Sequence, residues 1–169
     1  PLMPGEAAEF GVPVIVMHML GTPKTMQKAP AYKDLFGEIH DFLAEAVGRA
    51  IEAGVSRSQI VIDPGIGFGK TVTHNLMLLG DLSKLCELEA PILIGPSRKA
   101  FIRKLLKRPD QTDISTDLPI VETGTQAAVA AAVLAGAHIL RVHDVAATAA
   151  TVRILDAVRN AVDSEQGKI

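Results

Sequence analysis

The chain has 169 residues, 48% of them hydrophobic, enough for one domain with a packed core. A formal net charge of −2 argues against nucleic acid as the main partner, since neutralising a phosphate backbone needs a basic surface. The single cysteine, Cys86, excludes an internal disulfide and a cysteine-rich zinc site, and the longest greasy run, Ala127 to Ala135, is too short to span a bilayer.

In chain order, Pro4 to Phe10 reads as the tail of a helix. Val12 to His18 is a continuous apolar run, the first expected strand, ending in ligand-capable residues. A helix is expected over Tyr32 to Ala53, with Leu35, Phe36, Ile39, Phe42, Leu43 and Val47 on one face and Gly54 as its stop. Ile60 to Ile62 is the second strand, and Thr73 to Leu88 the next helix, with His74 as a cap. Pro91 to Ile94 is the third strand, followed by a helix from Ser97 to about Lys107 that Ser97 is placed to cap. A polar stretch, Arg108 to Glu122, precedes an Ala-rich helix over Gly124 to Ala135. Ile139 to Val142 is the fourth strand, and the last helix covers Val145 to Val162. Strands apolar throughout are expected to be parallel and buried on both faces. No linker interrupts the alternation, so residues 1–169 read as part of one domain.

Every strand ends in polar groups, which is the habit of a barrel whose active site lies at the carboxyl ends of its strands. The second strand delivers Asp63 and then Pro64-Gly65-Ile66-Gly67-Phe68-Gly69-Lys70. The glycines, Gly67 among them, let the backbone approach a flat or anionic ligand. A carboxylate there suits a heterocycle that offers an amino group and a ring N–H side by side. Lys99, one strand over, reads either as a donor to that heterocycle's carbonyl or as a structural ion-pair partner of Asp63. Arg141 and His143 alternate along the fourth strand and read as an anion site for phosphate or pyrophosphate, or else Arg141 pairs with Asp144 or Glu122. Ser97 and its helix offer a second anion site. Met17 and Phe68 are candidate walls against a flat ring, or core.

Val16-Met17-His18-Met19 with Gly21-Thr22-Pro23, Asp63 to Lys70, Gly95-Pro96-Ser97-Arg98-Lys99 and Arg141-Val142-His143-Asp144-Val145 resemble the dihydropteroate synthase family, in family order over nearly the whole chain. The resemblance implies a (β/α)8 TIM barrel, this chain carrying its C-terminal half. It also implies condensation of 6-hydroxymethyl-7,8-dihydropterin diphosphate with 4-aminobenzoate, a step of folate biosynthesis and the sulfonamide target. Pyrophosphate leaves with the help of Mg²⁺. By motif, Asp63 binds the pterin's amino and ring nitrogens, Lys99 its carbonyl, Arg141 supports the pterin and His143 holds pyrophosphate. Met17 and Gly95 line the pterin pocket, and Phe68 packs on the aminobenzoate. Ala100 stands where the family commonly has Ser, which shifts the aminobenzoate carboxylate toward Ser97 and helix amides. Leu20 replaces a residue that is usually polar.

The first four strands of such a barrel, with the family's Mg²⁺-ligating Asn, are expected upstream of this chain. A homodimer, or pairing with that N-terminal half, is expected, as is a cytoplasmic location. Two alternatives share the pterin-binding barrel or its half: a methyltetrahydrofolate-corrinoid methyltransferase, and a non-catalytic module whose open edges pair with another chain.

Overall fold

The computed structural model describes residues 3–166. Four parallel strands form in sequence, each followed by helix. They are β1 (Val14–Met17), β2 (Ile60–Asp63), β3 (Leu93–Ile94) and β4 (Ile139–Leu140). β1 pairs with β2 and β3 with β4, and an Ile62–Ile92 bridge joins the two pairs. The helices are α1 (Met3–Phe10), α2 (Leu35–Glu52), α3 (Val72–Gly80), α4 (Ala100–Leu106), α5 (Pro119–Leu134) and α6 (Val145–Gln166). No described helix is long and apolar enough to cross a membrane.

The register sorts the strand residues onto two faces, because paired residues in a parallel ladder point the same way. One face carries Val14, Val16, Ile60, Ile62, Ile92, Ile94 and Leu140, which sit in or against the core under the helices. Leu35, Ile39, Leu43, Val47 and Ala50 recur at helical spacing and bury one face of α2 there. Burial of a side chain such as Ile39 or Leu43 contributes about 1.5–3 kcal/mol. Asp34 caps that helix by accepting from the Gly37 N–H at 3.2 Å.

The opposite face is the inner face of a barrel arc. It carries Ile15 and Val61 at one level, Met17, Asp63, Leu93 and Ile139 at the next, and Gly95 and Arg141 beyond them at the strands' carboxyl ends. Ile15 is 56% and Ile139 39% exposed and Val61 is only partly buried, so the expectation of burial on both faces holds for β3 but not for the other three strands.

Several element bounds differ from the sequence reading. The second helix is not continuous to Leu88: it ends at Gly80, and a tighter 3₁₀ turn covers Leu82–Leu88. Asp81 breaks it, because its carboxylate takes the Ser83 hydroxyl at 2.6 Å and Lys84 at 3.1 Å, local bonds that compete with the helix. α5 starts at Pro119, inside the expected polar stretch, since proline at the first turn loses no helical hydrogen bond. Phe42 is 38% exposed and leaves the α2 core face to meet His18 edge-on at 5.0 Å.

Candidate functional site

Asp63 ends β2, 2% exposed, on the inner face beside Met17. Its Oδ1 accepts from the Gly65 N–H at 2.7 Å, and its Oδ2 lies 3.7 Å from Arg141 Nη2. Burial raises its pKa above the usual carboxylate range, opposed by the Gly65 hydrogen bond and by Arg141, Lys99 and Lys70. A carboxylate so placed gains most from a ligand that brings further N–H donors.

The loop from Gly65 to Gly69 curls over this carboxylate with its polar backbone groups tied down. Gly67 N–H donates to Asn75 Oδ1 (2.7 Å), and its carbonyl accepts from Gln27 Nε2 (2.8 Å). Phe68 N–H donates to the Gly65 carbonyl (3.0 Å), and the Gly69 carbonyl accepts from the Tyr32 hydroxyl (2.8 Å). Glycine is required at Gly65, Gly67 and Gly69, all at positive φ. Gly65 has φ +75°, and a Cβ there would run into the His18 carbonyl oxygen; Gly67 has φ +82°, and a Cβ would meet Lys99 Cδ at 2.9 Å. The close approach therefore fixes Lys99 along the loop. Its Nζ sits 3.9 Å from the centre of the Phe68 ring, a cation–π contact. Burial, then Arg141, lowers the Lys99 pKa, and Asp63 works against that.

Lys99 is no ion-pair partner of Asp63 among the described residues; that place belongs to Arg141. Arg141 likewise pairs with neither Asp144 nor Glu122. Its side chain passes over Gly95, where a Cβ would sit 3.1 Å from the guanidinium. Glu122 instead binds Arg98 Nε at 3.4 Å. Arg141 and His143 lie past the end of β4, although the Arg141 N–H still bonds the Ile94 carbonyl at 3.0 Å.

Ser97 does not cap α4. Lys99 occupies the capping position without a side-chain bond. Arg98, between them, adopts the left-handed conformation (φ +56°). Its N–H donates to Thr125 Oγ1 (3.1 Å), its carbonyl accepts from Arg103 Nη1 (2.8 Å), and Glu122 holds its guanidinium. This turn points Ser97 and Lys99 into the site. Ser97 Oγ accepts from the His143 N–H (3.3 Å) and bonds His143 Nδ1 (2.7 Å). A Ser97 hydroxyl that donates to Nδ1 leaves the ring proton on Nε2. His74 caps α3 as expected, in a reciprocal box with Thr71.

Sequence reasoning missed the layer behind the loop. Lys70 is 3% and His18 4% exposed. Lys70 Nζ donates to His18 Nδ1 at 2.9 Å and to the Phe68 carbonyl at 3.1 Å. An ammonium only donates, so His18 is neutral with its proton on Nε2. Burial, then the Lys70 charge, lowers the His18 pKa to about 4. The unfolded chain therefore binds the extra proton below pH 6.5 and the folded one only near pH 4, and stability falls as pH drops through that window. The His18 share is about 2–3 kcal/mol. Denaturant midpoints of wild type and His18→Gln at pH 7 and pH 4 check this. The variant is expected to lose that much less stability, and equal losses would contradict the assignment.

Beside the loop, Gln27, Gly67, Asn75, Lys99, Ala100 and Lys104 line a small cavity of about 110 Å³. Among the described residues no three His, Cys, Asp or Glu side chains cluster as a metal site would need. The arrangement offers one buried carboxylate, an aromatic wall, and cationic donors on both sides of it.

A family model described as pterin binding enzyme matches residues 1–143. Dihydropteroate synthase of Escherichia coli K12 is 39% identical over 160 residues, covering 95% of this chain and 54% of that protein. A Yersinia pestis dihydropteroate synthase solved with a sulfonamide drug complex superposes with a TM-score of 0.85 at 39% identity, over 95% of this chain and 56% of that one. The Xanthomonas albilineans synthase in complex with 7,8-dihydropteroate gives 0.77 at 39% identity, over 92% and 54%. The chain thus spans about half the length of the relatives it matches.

Proposed function

Since the chain belongs to the pterin binding enzyme family, we propose that its strand-end cluster is the pterin and leaving-group side of a dihydropteroate synthase site. The observation that carries the reading is the buried Asp63 on the inner face, flanked by Met17 and Arg141 and roofed by a glycine loop. Relatives at 39% identity bear that activity in their names, and one is solved with 7,8-dihydropteroate.

In this reading Asp63 accepts from the amino group and ring N–H of a dihydropterin, and Lys99 donates to its carbonyl. Met17, Gly67 and Gly95 give the flat ring room, and Arg141 lies against it. His143, its Nε2–H oriented by Ser97, donates to the diphosphate. The bond between the pterin methylene and the diphosphate oxygen breaks, and pyrophosphate takes its electron pair. The arylamine nitrogen of 4-aminobenzoate bonds to the methylene and then loses a proton. Phe68 packs on that aryl ring. Ser97 is engaged with His143, so Lys104, beside Ala100 on the cavity rim, faces the carboxylate. Mg²⁺ arrives with the diphosphate. A cytoplasmic setting and a homodimer, or pairing with a segment that completes the inner face, belong to the same proposal.

Lys99→Ala tests it. Formation of 7,8-dihydropteroate, followed by mass spectrometry, is expected to fall about 100-fold or more, as when one preorganised donor is removed. Stability is expected to change by about 0.5 kcal/mol or less, because Lys99 lines a mouth and not the core. A variant that chiefly unfolds would make Lys99 structural and remove it from the site.

A further inference from the structure

Behind the glycine loop one ammonium ties three elements together. Lys70 Nζ bonds His18 at the end of β1 and the Phe68 carbonyl in the loop, and it lies 5.9 Å from the centre of the Tyr32 ring. The His18 N–H in turn donates to the Asp63 carbonyl at 3.0 Å, and a Cβ on Gly65 would sit 3.5 Å from Lys70 Nζ. Taking a lysine out of water is costly. The loop's other carbonyls are held by neutral donors: Gln27 holds Gly67 and Tyr32 holds Gly69. A buried charge at Phe68 is an expensive substitute, unless the charge itself acts on something nearby. The carboxylate whose charge acts on it is Asp63.

Resting on the synthase reading above, we propose that Lys70 is a positioning residue for the pterin site. Docked on His18, it holds Phe68 over Lys99, and its charge supports ionised Asp63 for a ligand's N–H donors. His18 faces Lys70 from β1 and Asp63 from β2. Tyr32 and, beyond His18, Glu38 face it from the α2 side. Lys99 and Lys104 approach from α4, and Arg141 lies on the far side of Asp63. Burial outweighs Asp63 and brings the Lys70 pKa down to about 7. The charge therefore switches near neutral pH. A ligand that covers Asp63 excludes water from it and strengthens its pull on Lys70. Pterin binding then draws a proton onto Lys70.

The chain has no tryptophan and one tyrosine, so Tyr32 is its only strong intrinsic fluorophore and reports on this cluster. Without ligand, Tyr32 emission and the Nζ resonance of Lys70 in the ¹⁵N-lysine-labelled wild type are expected to titrate together near pH 7. The Tyr32 step should vanish in Lys70→Met and persist in His74→Gln, since His74 also lies 5.0 Å from the Tyr32 ring. Absence of the Lys70 titration in wild type, or a Tyr32 step that His74→Gln abolishes, would overturn the proposal without any ligand. In the second arm, 6-hydroxymethylpterin is titrated calorimetrically at pH 7.5 in buffers of different ionisation enthalpy. Wild type is expected to take up part of a proton per ligand; Lys70→Met is expected to take up none and to bind about tenfold or more weakly. Equal affinity and equal proton uptake would overturn the positioning role while leaving the synthase reading intact. A wild type that binds no pterin would defeat that reading, and the Lys70 role with it.

Discussion

Asp63→Asn is expected to weaken pterin binding by about 1.5–3 kcal/mol, the worth of a hydrogen bond to a charged group, or roughly 10- to 150-fold in Kd. Asparagine keeps the shape, and its carbonyl can still accept from the Gly65 N–H. The amide group then turns a donor toward a ligand that also donates, and Arg141 loses the anion it now meets at 3.7 Å. The folded protein, however, no longer buries a carboxylate whose pKa is raised by desolvation. Stability is therefore expected to hold or to rise while affinity falls. That opposition separates a binding residue from a structural one. Calorimetry with 6-hydroxymethylpterin gives the affinity, and denaturant unfolding gives the stability. Unchanged affinity would remove Asp63 from the site.

The second large effect concerns association. Among the described strands, β1 pairs only with β2 and β4 only with β3, so two edges are open. Between them the inner face leaves Ile15 and Ile139 in water. Covering what remains exposed contributes about 1 kcal/mol for each, a drive toward a partner that adds to the pairing of the open edges. The 169-residue chain is expected to sediment as a dimer or larger species at micromolar concentration. Ile15→Lys with Ile139→Lys, which places charge on that face without touching the helix-side core, is expected to shift it toward monomer. A wild type that stays monomeric across the concentration range would mean that the inner face tolerates water as it stands.

Much of this was legible in the sequence because strand and helix periods differ and the strands are apolar. The four strand–helix units, Asp63 at a strand end and the glycine turn after it all follow from residue type and spacing. The inner-face register places Met17 beside Asp63, with Gly95 and Arg141 just beyond them, at the strand ends that polarity singled out. What escaped depends on three-dimensional proximity. Lys70 reads as one more charged residue after a loop, and only the fold shows it buried on His18, 52 positions away in sequence. The left-handed Arg98 turn is invisible to propensity, because Thr125, Glu122 and Arg103 impose it from α5 and α4. Ser97 looked like a cap because serine before a helix usually is one; its hydroxyl is drawn off by His143, 46 positions later. Pro119 did carry a local signal, proline in a helix's first turn, but the polar residues before it masked the start of α5.

The central claim is that a pterin binds on the inner face at the carboxyl ends of the strands. Amide-detected NMR of the ¹⁵N-labelled chain, titrated with 6-hydroxymethylpterin, tests it most directly. Shifts are expected to concentrate at Met17, Asp63, Gly65, Gly67, Gly95 and Arg141, and to disappear in Asp63→Asn. Shifts confined to the apolar cleft lined by Leu76, Phe101, Leu105 and Ala128, or no shifts at saturating ligand, would contradict it.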